Sequence, residues 1–140
     1  MIMENIAFYM SQIKIDQFAV LIDEIPENLG VNVSFGVQIS DDYKSVRMQT
    51  LIRYTQEESV HLMLDMACIF SLAEESIKDL TNNKKIVLPR GFLVHMAIHS
   101  IGTARGVLHC KTEGKKMNVL VLPPINVDSM FSEDLEFVME

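Results

Sequence analysis

Val31-Asn32-Val33-Ser34-Phe35-Gly36-Val37-Gln38-Ile39 alternates strictly, with apolar side chains at odd positions and small or polar ones between. A period of two marks a strand with one face on a core and one in water. The pattern continues on both sides. Ser40-Asp41-Asp42-Tyr43-Lys44 reads as a turn, because Asp and Ser bond their own backbone. Residues 46–55 form the next strand, with Val46, Met48, Ile52 and Tyr54 inward and Arg47, Gln49 and Arg53 outward. Gln56-Glu57-Glu58 turns the chain again, and 59–70 follow with Val60, Leu62, Leu64, Met66 and Cys68 on one face. Turns this short join antiparallel neighbours. Upstream, residues 5–22 are strand-like but change phase between Phe8, Met10 and Phe18, Val20, Ile22, which predicts a bulge. The four strands together predict an antiparallel meander.

The second half reads as helices. Ser71 and Glu74 fit a capping box that opens a short helix to about Leu80. Ile86-Val87-Leu88 is extended ahead of Pro89, and Pro89 suits the first turn of a helix running to about Cys110. Leu93, Ala97, Ile101, Ala104 and Leu108 give that helix an apolar stripe. The opposite stripe holds His95, His99, Gly102, Gly106 and His109. Each mid-helix glycine costs about 1 kcal/mol relative to alanine. Close approach of another backbone, from a second subunit, would offset that cost. Lys111 to Asn118 is a loop, and Val119 to Pro124 is extended. Asn126 or Asp128 then caps a last helix with Met130, Phe131, Leu135 and Val138 on one side. Sheet first and helices after gives one α+β domain over 1–140, with a four-stranded antiparallel sheet and helices on one face.

Composition narrows the function. The chain has 140 residues, 49% of them hydrophobic, which excludes wholesale disorder and allows a single core. No run reaches about 18 uncharged apolar residues, so no membrane insertion is expected. The start Met1-Ile2-Met3-Glu4 lacks the basic and apolar blocks of a signal peptide, which points to the cytoplasm. Cys68 and Cys110 sit in apolar runs and read as two buried free thiols. A net charge of −7 argues against nucleic acid. The charge is uneven. Residues 1–77 carry 12 acids and 4 bases, 78–116 carry 2 acids and 8 bases, and 117–140 carry 5 acids and no base. Such a distribution can orient a charged partner.

Catalytic signatures are lacking, so no enzyme activity and no cofactor are expected. There is no nucleophile elbow, phosphate loop or dinucleotide fingerprint. His95 and His99 have the i,i+4 spacing of helix metal ligands, but position 96 is Met rather than the glutamate of a zinc protease motif. We therefore read the pair as part of a polar interface stripe, with no metal; a metal-dependent enzyme is the rival. The chain has ten methionines and no tryptophan. Methionine adapts to irregular apolar surfaces, so a subset could line a groove while the rest fill the core.

Three segments carry a family resemblance. Cys68-Ile69-Phe70-Ser71-Leu72 leads from a strand into a helix, Ile86-Val87-Leu88-Pro89 precedes the long helix, and Leu122-Pro123-Pro124-Ile125-Asn126-Val127-Asp128-Ser129-Met130-Phe131 precedes the last. In order and content they resemble the SecB family of protein-export chaperones, over roughly residues 60–131. The resemblance implies a homotetramer built as a dimer of dimers around the long helix, with His95, His99, Gly102 and Gly106 at the interface. It implies ATP-independent binding of unfolded or precursor polypeptides in hydrophobic grooves between the sheet and a C-terminal helix. Groove candidates are Met66, Phe70, Leu72, Leu122, Met130, Phe131 and Phe137. It also implies docking of the translocase ATPase SecA on acidic residues of the exposed sheet face. Asp16 matches one of these. Met63 stands where the family has a glutamate, with Asp65 two residues on and on the same face. An adaptor of this fold serving one partner, such as an antitoxin, is the alternative.

Overall fold

The computed structural model describes residues 6–139. Four long strands come first: β1 (Phe8–Val20), β2 (Gly30–Ile39), β3 (Ser45–Gln56) and β4 (Ser59–Leu72). All pair antiparallel, in the order β1-β4-β3-β2. The meander therefore comprises β2, β3 and β4, while β1 lies beside β4 rather than beside its sequence neighbour. The turn after β2 forms as its residues dictate. Asp42 Oδ1 accepts from Ser40 Oγ at 2.7 Å and from the Lys44 N–H at 3.0 Å.

The expected irregularity in β1 is a pair of register shifts, between Met10 and Gln12 and between Ile15 and Gln17. Each shift flips which residues face inward. Between them Ile13 and Ile15 pair with the buried Cys68 and Met66, which turns both isoleucines to the core side of the sheet.

Helix α1 (Glu74–Leu80) follows β4 at once. The capping box does not form. β4 runs on to Leu72, so Ser71 is a strand residue, and its hydroxyl donates to Ser11 Oγ. Ala73 takes the cap position with no side-chain bond. Instead the buried Ser76 Oγ accepts from the Ala7 N–H at 2.7 Å and ties the start of β1 to α1. Strands β5 (Thr81–Asn82) and β6 (Lys85–Leu88) form a tight hairpin, in which β6 holds the expected extended residues 86–88 and β5 stands where the sequence reading has a helix end. Its two turn residues, Asn83 and Lys84, both have positive φ, as a primed hairpin turn requires.

Helix α2 (Arg90–Lys111) is the long helix expected after Pro89, which caps it rather than entering its first turn. The stripe Leu93, Ala97, Ile101, Ala104 and Leu108 is buried, joined by Phe92, Met96 and Ser100. It packs on the inner sheet residues Val46, Met48, Ile52, Leu64, Met66, Cys68 and Phe70, all essentially without solvent contact. Burial pushes the Cys68 thiol up, opposed by hydrogen bonds from Ser100 and Thr103, so it stays a neutral core group. Cys110, expected to be buried, is exposed, because it lies on the outer side of α2.

The end of the chain departs most from expectation. No C-terminal helix forms. A 3-10 turn (Val127–Met130) leads to strand β7 (Leu135–Val138), which pairs antiparallel with β6. Leu135 and Phe137 face inward, and Val138 faces solvent. Arg90 holds this segment. Its side chain donates to the carbonyls of Phe131 and Asp128 at 2.5 and 2.7 Å, and its N–H donates to Asp134 Oδ1 at 2.7 Å. Asp134 thus serves the open N-terminus of α2, a favoured place for a carboxylate.

One buried group has no counterpart. Thr50 Oγ1 stands on the inner face of β3 with no hydrogen-bond partner among the described residues. A buried unmatched hydroxyl costs about 1–3 kcal/mol. Thr50→Val keeps the shape and removes that cost, so it should raise stability by about 1 kcal/mol in urea denaturation.

Candidate functional site

The site follows from a mismatch of widths. Strands lie about 4.8 Å apart, so four of them span a sheet roughly 19 Å across. One helix with its side chains is about 10 Å wide. Helix α2 therefore covers β3 and β4 and leaves both margins half covered. Along β2, the inward residues Val31, Val33, Phe35, Val37 and Ile39 are all half-buried rather than buried. Along β1, Ile13 and Ile15 remain 51% and 42% exposed although they face inward.

The β2 margin is partly roofed by the C-terminal segment. Phe131 packs on Phe35 with ring centroids 5.6 Å apart. Beyond it, Ile39, Ser40, Asp41, Tyr43, Phe137 and Val138 line a surface depression between the end of β2 and β7. Two more clamps hold the roofing segment. Arg105 donates from Nε to the Leu122 carbonyl at 2.8 Å and from Nη2 to Pro123 at 3.3 Å. Asp23 accepts the N–H groups of Lys116 and Met117, both at 3.0 Å.

The groove candidates split into two sets. Phe131 and Phe137 lie at the β2 margin, half-buried, and Met130 beside them is 40% exposed. Met66, Phe70, Leu72 and Leu122 do not line an open surface. They are buried in the core, because the inner face on which the strand residues stand is the one that α2 covers. A groove between sheet and C-terminal helix is likewise replaced by one between sheet edge, 3-10 turn and β7. The half-buried β2 row was missed as a binding surface. Its alternation marks it as a strand, but only the strand order makes it an edge.

The β1 margin meets the outer stripe of α2. Ile15, Gly102, Thr103, Gly106, Val107 and Cys110 line one shallow apolar surface. Outside the helix's own backbone and chain neighbours, no described atom lies within 4 Å of where a side chain on Gly102 or Gly106 would begin. The close contact expected from the glycines therefore has no partner among the described residues. His95 and His99 sit higher on the same helix, with their rings perpendicular.

On the opposite face of the sheet the structure brings Asp16 and Asp65 together. Gln49 Nε2 donates to Asp16 Oδ2 at 2.8 Å and to Asp65 Oδ1 at 2.6 Å. Arg47 reaches Asp16 Oδ2 at 3.0 Å and donates from Nε to Gln49 Oε1 at 2.8 Å. One of the two acids is thus already matched by a guanidinium. Among the described residues no group of three or more His, Cys, Asp or Glu converges as a metal site. No described helix is long and apolar enough to cross a membrane.

The Gln49 amide, and after it Arg47, holds the Asp16 carboxyl below 3.8, and the Lys116 and Met117 N–H groups do the same for Asp23. A depressed carboxylate stabilises the fold above its unfolded value and loses that contribution as pH falls through its folded value. Stability should therefore be flat from about pH 7 to about pH 5 and fall below about pH 4. Asp16→Asn should flatten part of that acid limb, read from urea midpoints at each pH. No family model matches the chain, and no curated protein matches it in sequence. Among solved structures, a SecB-like chaperone of Mycobacterium tuberculosis, in complex with a peptide from an antitoxin, is similar at 12% identity and a TM-score of 0.44, over 84% of this chain and 90% of that one.

Proposed function

We propose that this protein is a SecB-like holdase, which binds unfolded or precursor polypeptides without ATP along the half-covered β2 margin. The observation that supports this reading is the apolar row Val31, Val33, Phe35, Val37 and Ile39, half-buried along its whole length, with Phe131 packed on Phe35. An extended chain repeats its side chains on one face every second residue and can match such a row. Each contact is weak, but a long client that engages several sites gains avidity. Met130 at the rim can adapt to clients of different shape.

The same reading includes self-assembly. Ile13, Ile15 and the exposed Ile98 flank the glycine stripe and form an apolar surface that a second copy would cover. A dimer of dimers facing through α2 would account for two glycines that no described residue approaches. We place the protein in the cytoplasm, in protein export. Docking of SecA is the finest part of the reading. Asp16 and Asp65 share one face, and a cationic partner would have to compete with Arg47 for the first of them.

Two experiments test these readings. The protein at a few-fold excess should delay aggregation of a reduced, unfolded client without ATP. Phe35→Asp or Phe137→Asp should weaken that protection at least tenfold, with secondary structure retained by circular dichroism. Absence of protection by the wild type sinks the holdase reading. A client screen that returns a single sequence moves the conclusion to a dedicated adaptor, such as one for an antitoxin. Light scattering should show a tetramer. Gly106→Leu should break it into smaller species, whereas in a free helix a glycine replacement would simply stabilise, by up to about 1 kcal/mol for alanine.

A further inference from the structure

His95 and His99 stand one helical turn apart on the outer stripe of α2, and their Nε2 atoms are 3.3 Å apart. The rings are perpendicular, with centroids 4.7 Å apart. Phe8 fixes the first ring edge-to-face, at 5.6 Å between centroids. A tetrahedral Zn2+ bonded to two imidazole nitrogens at about 2.0–2.1 Å sets those nitrogens roughly 3.3–3.4 Å apart. An octahedral ion at the same bond length would need roughly 2.9 Å. The observed spacing, that of a long hydrogen bond, also matches the tetrahedral bite. Without metal, the two rings share one long hydrogen bond. With metal, each nitrogen gains its own bond.

We propose that His95 and His99 form a two-histidine clamp for Zn2+. The described residues supply two ligands, and none of the others converges on the remaining coordination positions. Gly102, the next residue on the stripe, leaves that side open, since nothing stands within 4 Å of its missing side chain. In the isolated chain water fills those positions. Where two α2 stripes face one another, the second copy's pair can complete a four-nitrogen site. The two-histidine clamp uses no residue of the β2 margin and stands apart from the polypeptide-binding reading, whereas its four-nitrogen form rests on the self-assembly proposed above.

The test is a titration of chelator-stripped protein with Co2+, followed by displacement with Zn2+. We expect the strong visible bands of four-coordinate Co2+ with one Zn2+ per two chains where copies share the site, and the weak bands of six-coordinate Co2+ with one Zn2+ per chain where water completes the sphere. His95→Ala and His99→Asn should each weaken Zn2+ binding at least tenfold. His109→Ala, on an exposed histidine of the same helix outside the pair, should leave it unchanged. Thermal unfolding in chelator checks that each variant folds. Wild-type binding no tighter than that of His99→Asn, or an equal loss in His109→Ala, overturns the proposal.

Discussion

One amphipathic helix lies across a sheet wider than itself, and the rest of the molecule follows from that. The inner residues of β3 and β4 lose all contact with water beneath α2, and this burial is the main term holding the layers together. The inner residues of β1 and β2 cannot share in it fully. A larger protein would add a second helix. This one lays an irregular segment over one margin and leaves the other to solvent.

The irregular segment is held by backbone bonding together with the burial of Met117, Leu122 and Val127. Arg90 and Arg105 spend their guanidinium donors on carbonyls of residues 122–131, and the Asp23 carboxylate collects two N–H groups at its start. Met117, Leu122 and Val127 anchor this strap in the core, while over β2 it places the half-buried Phe131 against Phe35. The β2 row therefore stays half-buried, which is the feature on which the proposed binding of extended chains rests.

The two margins are chemically different, and the proposed function gives them different tasks for that reason. The β2 margin is a row of branched and aromatic side chains beside an acidic strap. The β1 margin is a shallow surface of isoleucines against a helix whose side chains shrink to glycine. In that proposal the first receives a narrow extended chain and the second another helix, brought close. Two bulges in β1 create it, since without them Ile13 and Ile15 would face the other side of the sheet.

Much of this was legible in the amino-acid order. Strict alternation in 31–39 and 46–55, polar turns between them, and the period of Leu93 to Leu108 identify strands and a helix through local geometry alone. The phase change in β1 announced its bulges. Other features were not local. Ser71 has the chemistry of a cap, but pairing with Tyr9 and Ser45 keeps it in β4, because ladder bonds outweigh one capping bond. Residues 127–138 carry a helix-like apolar spacing, but the free edge of β6 and the reach of Arg90 draw them into a turn and a strand. Whether Met66 or Phe35 meets solvent depends on strand order and on the width of one helix, and neither is written in any window of residues. Local periodicity determined which segments are strands and helices. Only the packing of the layers decided which apolar faces were left uncovered, because burial is a property of neighbours distant in the chain.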